Sequence, residues 1–128
     1  MYPVTRKYRL NSMKYAQCHV VITNDENCDH VSIELISYWT SVCKIILTRS
    51  TTEKHAELYA SGTYSVTTAR HINRFTKEFC GENLYHIVRD ACGTNCEYKK
   101  VYDIDFDTAL KKAVRYMNGY SVKYSGVY

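Results

Sequence analysis

The sequence has few residues that interrupt helices and strands, with one proline, Pro3, and five glycines among 128 residues. This scarcity excludes collagen-like and proline-rich low-complexity chains. No run approaches the roughly 20 apolar residues of a membrane-spanning helix. Segment 1–17 is basic and lacks an apolar run, so it does not resemble a secretion signal. These absences predict a single cytoplasmic domain over residues 1–128.

The six cysteines suit a reducing compartment, because segment 1–17 does not direct the chain to an oxidising one. We therefore expect free thiols, some of them in the core, since Cys18 and Cys43 lie in apolar stretches. Cys28 with His30 is a minor metal-binding alternative. The main zinc alternative is a set of four side chains within seventeen positions: Cys80, His86, Cys92 and Cys96. No paired C-x2-C knuckle occurs, so we expect neither a metal nor another cofactor.

Acidic residues are missing from both ends of the chain. Residues 1–24 and 108–128 contain four basic residues each and no acidic one, whereas residues 25–107 contain nine basic and thirteen acidic residues. Such blocks affect partners and solubility rather than fold. Either both ends are ordinary solvated surface, or they meet in one basic patch for RNA, DNA or an acidic protein. We expect residues 1–12 to be a loose basic arm.

The first half of the chain has the two-residue period of β-strands. Four segments alternate in this way: 15–23, 31–36, 38–48 and 55–64. The second and third of these form either one long bent strand or two strands joined near Ser37. Shorter strands are predicted over 98–104 and 121–125. The fold class predicted is α+β, an antiparallel sheet of about four to five strands covered by two or three helices.

The period changes to 3.6 residues in the second half, which predicts helices over 69–80, about 82–91 and about 106–118. Thr67 and Thr68 are candidate caps of the first helix, and Gly81 fits a left-handed stop after it. Its predicted inward stripe is Ile72, Phe75, Thr76 and Phe79. The third helix opens at Asp105 or Asp107, and its predicted apolar face is Phe106, Leu110, Ala113, Val114 and Met117.

The predicted 69–80 helix also carries a stripe of cations. Arg70, Arg74 and Lys77 are spaced by four and three residues, so they project from one face. Arginine in such an array suits phosphate or carboxylate recognition. The alternative is an ordinary solvated face, which most surface helices have.

Tyrosines concentrate in the two basic ends, which hold seven of the thirteen. Three explanations remain open: core packing, a protein interface, or base stacking next to phosphate contacts. Near the C-terminus the tyrosines recur every four residues, interleaved with basic side chains. The candidate partner-binding residues are therefore Arg70, Arg74, Lys77, Lys111, Lys112, Arg115, Tyr116, Tyr120 and Tyr124.

Catalytic motifs are missing: no glycine-rich phosphate loop, no H-E-x-x-H and no G-x-S-x-G occurs. Asp103, Asp105 and Asp107 alternate as a metal-binding carboxylate cluster would. The simpler interpretation is that Asp105 and Asp107 open a helix, where the helix dipole favours acids. We expect a protein without catalytic residues.

Two segments stand out by their motifs. The first is Ser37-Tyr38-Trp39-Thr40-Ser41-Val42, and the second runs from Tyr64 to Ile72, with the pattern Y-S-x-T-T-x-x-H at its start. Together they resemble a small uncharacterised domain family of bacteriophages and mobile elements. The resemblance covers about residues 37–80. It implies a phage-like origin and a β-β-α core, and it carries no known activity.

A small phage-like protein without catalytic motifs is expected to act by binding. The leading expectation is a phage-encoded, non-enzymatic inhibitor of bacterial defence, an anti-CRISPR protein that binds an RNA-guided nuclease complex in the host cytoplasm. Its partners would be a host protein or ribonucleoprotein, with RNA or DNA contacts and no membrane. The basic ends argue against a DNA mimic. The alternatives are a nucleic-acid-binding regulator and a small enzyme acting on nucleic acid or a defence signal.

Overall fold

Six antiparallel strands and three helices make up the part of the chain that the computed structural model describes, which is residues 4–9, 18–24, 29–62, 65–92 and 98–118. In chain order they are β1 (Val4–Tyr8), β2 (Cys18–Asn24), β3 (His30–Ser37), β4 (Thr40–Arg49), β5 (Lys54–Ala60), α1 (Val66–Cys80), α2 (Tyr85–Cys92), β6 (Lys99–Asp103) and α3 (Phe106–Met117). The predicted α+β class is confirmed, with slightly more strands than expected. None of these helices is long and apolar enough to cross a membrane.

The strands follow one another across a single sheet in the order β1-β2-β3-β4-β5-β6. Alternate residues of each long strand are buried, as Cys18, Val20 and Ile22 are in β2. These side chains pack with the apolar stripes of the helices into one core. The opposite side of the sheet, here the outer face, carries a cross-strand row of paired positions: Lys7, Val21, Glu34, Lys44, Tyr59 and Lys100.

The expectation of a loose arm over residues 1–12 is wrong for its described part, residues 4–9. β1 pairs with β2 in register, with Tyr8 opposite Val20. The Tyr8 side chain is fully buried, and its ring meets that of Tyr116 edge-on at 5.9 Å. One buried aromatic ring and a ladder of backbone hydrogen bonds hold this polar segment in the sheet.

Of the two arrangements left open for residues 31–48, the structure has two strands. β3 and β4 form a hairpin in which Ser37 pairs with Thr40. The turn contains only Tyr38 and Trp39. The predicted strand over 121–125 lies outside the described residues.

The helix boundaries follow the predicted stripes with one correction. α1 begins one turn earlier than expected, because the Ser65 hydroxyl, rather than Thr67 or Thr68, accepts a hydrogen bond from the Thr68 amide at 3.2 Å. Gly81 ends α1 in the left-handed region, as predicted. Asp105 caps α3 by accepting from the Thr108 amide at 2.9 Å.

Candidate functional site

The cations predicted on α1 lie on its solvent side. Arg70, Arg74 and Lys77 are exposed, while Ile72, Phe75, Thr76 and Phe79 face the core as predicted. The spacing of four and three residues therefore places all three cations along one exposed face of the helix.

The cations predicted on α3 lie on a helix that contacts α1. Lys111 and Arg115 are exposed, and Lys112 lies 3.7 Å from the carboxylate of Glu78 on α1. Together α1 and α3 contain six cations and two acids, Glu78 and Asp107. We call the cationic set on these two neighbouring helices the α1–α3 face: Arg70, Arg74, Lys77, Lys111, Lys112 and Arg115.

The basic residues of β1 do not join this surface as a group. Arg6 and Tyr8 point to the helix side, where they line a shallow groove with Met117 at the end of α3. Lys7 alternates to the outer face, in the row that contains Val21. Residues from both ends of the chain therefore line this groove, but Arg6 is the one cation among the described residues that line it, and β1 divides its charges between both sides of the sheet.

Tyr116 is not available to a partner, so its prediction as a binding residue is wrong. It is fully buried and packs against Tyr8 and also against Phe79, with ring centroids 5.4 Å apart. The buried stripe of α3 is Phe106, Ala109, Ala113 and Tyr116, rotated from the stripe that the sequence predicted. Tyr120 and Tyr124 lie outside the described residues.

The residues of the zinc alternative do not form a group of three or more metal-ligating side chains in the part of the chain that is described. His86 is exposed, whereas the buried Cys92 thiol donates to the Ala60 carbonyl at 3.7 Å. Burial raises the pKa of Cys80 to about 12, so its thiol is protonated at pH 7. Cys96 lies outside the described residues, and the four described cysteines are free thiols.

The three alternating aspartates have separate structural roles. Asp103 pairs with Lys100 at 2.8 Å, and Asp107 pairs with Lys54 at 3.2 Å. Hydrogen bonds from Thr108 lower the pKa of the Asp105 cap. The helix-opening interpretation is confirmed for Asp105 and Asp107.

A cleft that the sequence patterns did not predict lies where the β3–β4 turn meets the start of α1. Its volume is about 360 Å³, and we call it the hairpin cleft. Six of the nine described residues that line it are serine or threonine: Ser37, Thr40, Ser41, Ser61, Ser65 and Thr68. Both segments of the resemblance, 37–42 and 64–72, contribute to it. Their joint occurrence was the signal that could have revealed the cleft.

A buried polar cluster forms one wall of the hairpin cleft. Oγ of Ser37 lies 2.8 Å from Nδ1 of His71 and 3.2 Å from the Thr68 hydroxyl. Burial lowers the pKa of His71, so its imidazole is neutral at pH 7. Among the described residues no carboxylate is hydrogen-bonded to His71. The cluster thus has two members of a catalytic triad without the acid that orients the base.

The turn beside this cluster is strained and displays two aromatic rings. Tyr38 has a φ of 56°, in the left-handed region that the first position of such turns reserves for glycine. Its ring lies against the His71 imidazole, with centroids 5.8 Å apart. Trp39, at the tip, is 94% exposed. The contact with His71 helps to hold a conformation that a tyrosine rarely adopts.

These features define a small α+β domain that has a six-stranded meander, a cationic pair of helices and a hydroxyl-lined cleft. The chain belongs to DUF8033, a family of unknown function whose model matches residues 8–90. The match includes α1 and the β3–β4 hairpin, and hence the hairpin cleft, but not α3. No curated protein and no solved structure matches the chain.

Proposed function

We propose that the protein is a non-enzymatic inhibitor of bacterial defence, an anti-CRISPR protein of a bacteriophage, that binds the RNA of an RNA-guided nuclease complex. The observation that carries the proposal is the α1–α3 face, where two neighbouring helices hold six cations against two acids. Phosphate groups dominate the affinity of proteins for nucleic acids, so such a face favours a polyanionic partner. It also disfavours an acidic DNA mimic, whose charge has the opposite sign.

The row on α1 is the centre of the proposed interface. Arg70 and Lys77 are separated by seven residues, which is about 10 Å along a helix. Two of its three cations are arginines, whose planar fork matches two phosphate oxygens. Glu78, the one acid of α1, has a side chain only 15% exposed and faces Lys112, so it weakens the row little.

Charge removal tests this interface. The variant Arg70→Gln/Arg74→Gln/Lys77→Gln should weaken binding to a purified guide-RNA–nuclease complex, measured by fluorescence anisotropy across a salt series. The affinity falls with salt, so the slope of log affinity against log salt is negative. If all three cations contact phosphates, the slope of the variant is less steep by about 2, because each contact with a single strand contributes roughly 0.7. Equal affinity of variant and native protein would remove the basis of the proposal.

A matched control exists on the outer face. The variant Lys7→Gln/Lys44→Gln/Lys100→Gln removes the same number of charges from the other side of the sheet. It should bind the complex as the native protein does. A comparable loss in both variants would point to net charge rather than to the α1–α3 face.

Inhibition should be stoichiometric. Nuclease activity should fall to its minimum near one equivalent of the protein, because a binding inhibitor occupies its target one to one. Complete inhibition far below one equivalent would indicate an enzyme. Tight binding to free RNA or duplex DNA with the nuclease still active would instead indicate a nucleic-acid-binding regulator.

A further inference from the structure

Trp39 stands almost free of the protein at the tip of the β3–β4 turn. It is the only tryptophan of the chain, and 94% of its surface is exposed. Its neighbour Tyr38 is 46% exposed. Burial of a large aromatic ring is favourable, and exposed apolar patches are typical of interaction sites. We therefore interpret these two adjacent exposed rings as a contact surface.

The backbone fixes the position of these rings. Tyr38 adopts a φ of 56°, and its ring is held against His71. His71 is in turn fixed by the Ser37 hydroxyl at 2.8 Å. A turn of two residues between paired strand ends fixes the backbone from which both rings project. The Tyr38 ring is therefore pre-organised, which lowers the entropy lost when a ligand binds.

The hairpin cleft, which Tyr38 helps to line, is uncharged. Six serine and threonine side chains contribute to its lining, and none of the described residues that line it is acidic or basic. Short hydroxyls can donate to or accept from the edge of a base, and they can also meet a ribose 2′-hydroxyl. Flat rings next to neutral hydroxyls suit a flat heterocycle with mixed donors and acceptors.

The start of α1 contributes to the cleft through Thr68, and the cationic row begins two residues later, at Arg70, on the exposed side of the helix. Arg74 and Lys77 continue the row one and two turns along. An RNA strand with one base in the cleft could place its following phosphates along this row. The neutral cleft and the charged helix thus supply the two contacts of a single-strand binding surface, stacking and phosphate neutralisation.

We infer that the hairpin cleft receives an unpaired base of the RNA, stacked on Trp39 and Tyr38, while α1 holds the adjoining phosphates. This inference rests on the proposed function, which supplies the RNA partner. It predicts a preference for single-stranded over duplex RNA, because a paired base cannot leave its stack without cost.

The single tryptophan allows a direct test. Titration with a short single-stranded RNA should change the fluorescence of Trp39, whereas duplex RNA of the same sequence should change it little. Trp39→Ala should lower the affinity for the single strand by about 5- to 150-fold, the usual contribution of one stacked base, and Trp39→Phe should restore part of it. Tyr102→Ala, which removes an exposed ring on β6, is the matched control and should bind normally.

The outcomes separate the inference from the proposed function. If RNA binds through the α1 cations but the Trp39 signal and the Trp39→Ala affinity stay unchanged, the inference fails and the proposed function stands. If neither free RNA nor the nuclease complex binds, both fail. If Trp39 responds only to the complex and ultraviolet crosslinks from the cleft map to protein, the cleft docks a protein and the inference is wrong. Crosslinks from Tyr38 or Trp39 to a base support it.

Discussion

Oγ of Ser37, the last residue of β3, lies 2.8 Å from Nδ1 of His71 in α1, although 34 residues separate them in the chain. Both side chains are buried, with 2% and 3% of their surfaces exposed. A hydrogen bond in such surroundings ties the sheet to the helix layer, because breaking it leaves a polar atom with neither partner nor water. This bond ties β3, which lines the hairpin cleft through Ser37, to α1, which lines it through Thr68.

Ser37→Ala should destabilise the fold by about 1–3 kcal/mol, the usual cost of orphaning a buried polar group. The change removes the partner of His71 and a hydrogen bond to Thr68. Ser32→Ala, on the outer face of the same strand, should change the free energy of unfolding by less than about 0.5 kcal/mol. Urea denaturation measures both variants, and equal effects would show that the Ser37 contact contributes nothing.

Stability should decline as the pH falls below about 6.5, the ordinary pKa of histidine. Burial lowers the pKa of His71 in the folded protein, so the unfolded chain takes up the proton first. The stability supplied by the neutral imidazole is complete above the unfolded pKa. It is lost as the pH falls towards the folded pKa and is constant below that.

His71→Asn should flatten part of this decline in denaturation midpoints measured between pH 5 and 8. Burial and Lys7 also lower the pKa of His19, so the native decline contains a second contribution. His19→Asn should therefore remove a separate part. A decline identical in the native protein and in His71→Asn would contradict the assignment to His71.

Tyr38→Val should destabilise the protein more than Tyr38→Asn does. Both changes remove the ring contact with His71, so their difference reports the backbone alone. Asparagine tolerates a φ of 56°, whereas a β-branched residue there is strained by about 1–2 kcal/mol. Thermal denaturation checks the order, and equal melting temperatures would show that the turn relaxes without cost.

Local patterns predicted most of the elements, and the misses have physical causes. The alternation of Cys18, Val20 and Ile22 indicates a strand whatever it pairs with. β1 is short and largely polar, and what holds it is the contact of Tyr8 with Tyr116 across more than a hundred positions. No local pattern reports such a contact.

The candidate site divides in the same way. Helical spacing alone placed Arg70, Arg74 and Lys77 on one exposed face. It failed for Tyr116, because Leu110 and Val114 define a plausible apolar stripe that is rotated from the real one. The hairpin cleft depends on the contact between Ser37 and His71. The periodicity of a sequence does not show which turn packs against which helix.

Cys18 and Cys43 should resist alkylation in the native protein because both are buried. Burial raises the pKa of Cys18 to about 11 and that of Cys43 well above its ordinary value, so neither forms a reactive thiolate at pH 7. In the native protein, iodoacetamide should leave both unmodified, whereas 6 M guanidinium should expose them at once. Peptide mass spectrometry reads the modified sites. Rapid native labelling of Cys43 would show that the sheet opens far more readily than its packing implies.

Tyr116→Ala should lower the stability of the fold rather than remove a contact with a partner. The ring is fully buried between Tyr8 and Phe79, and truncation of a large core aromatic costs about 3–5 kcal/mol. Tyr116→Phe keeps the ring and should retain most of that stability and full affinity for the RNA complex. A folded Tyr116→Phe protein with weakened binding would return the Tyr116 hydroxyl to the interface that the sequence predicted. Circular dichroism and anisotropy on the same samples separate loss of fold from loss of contact.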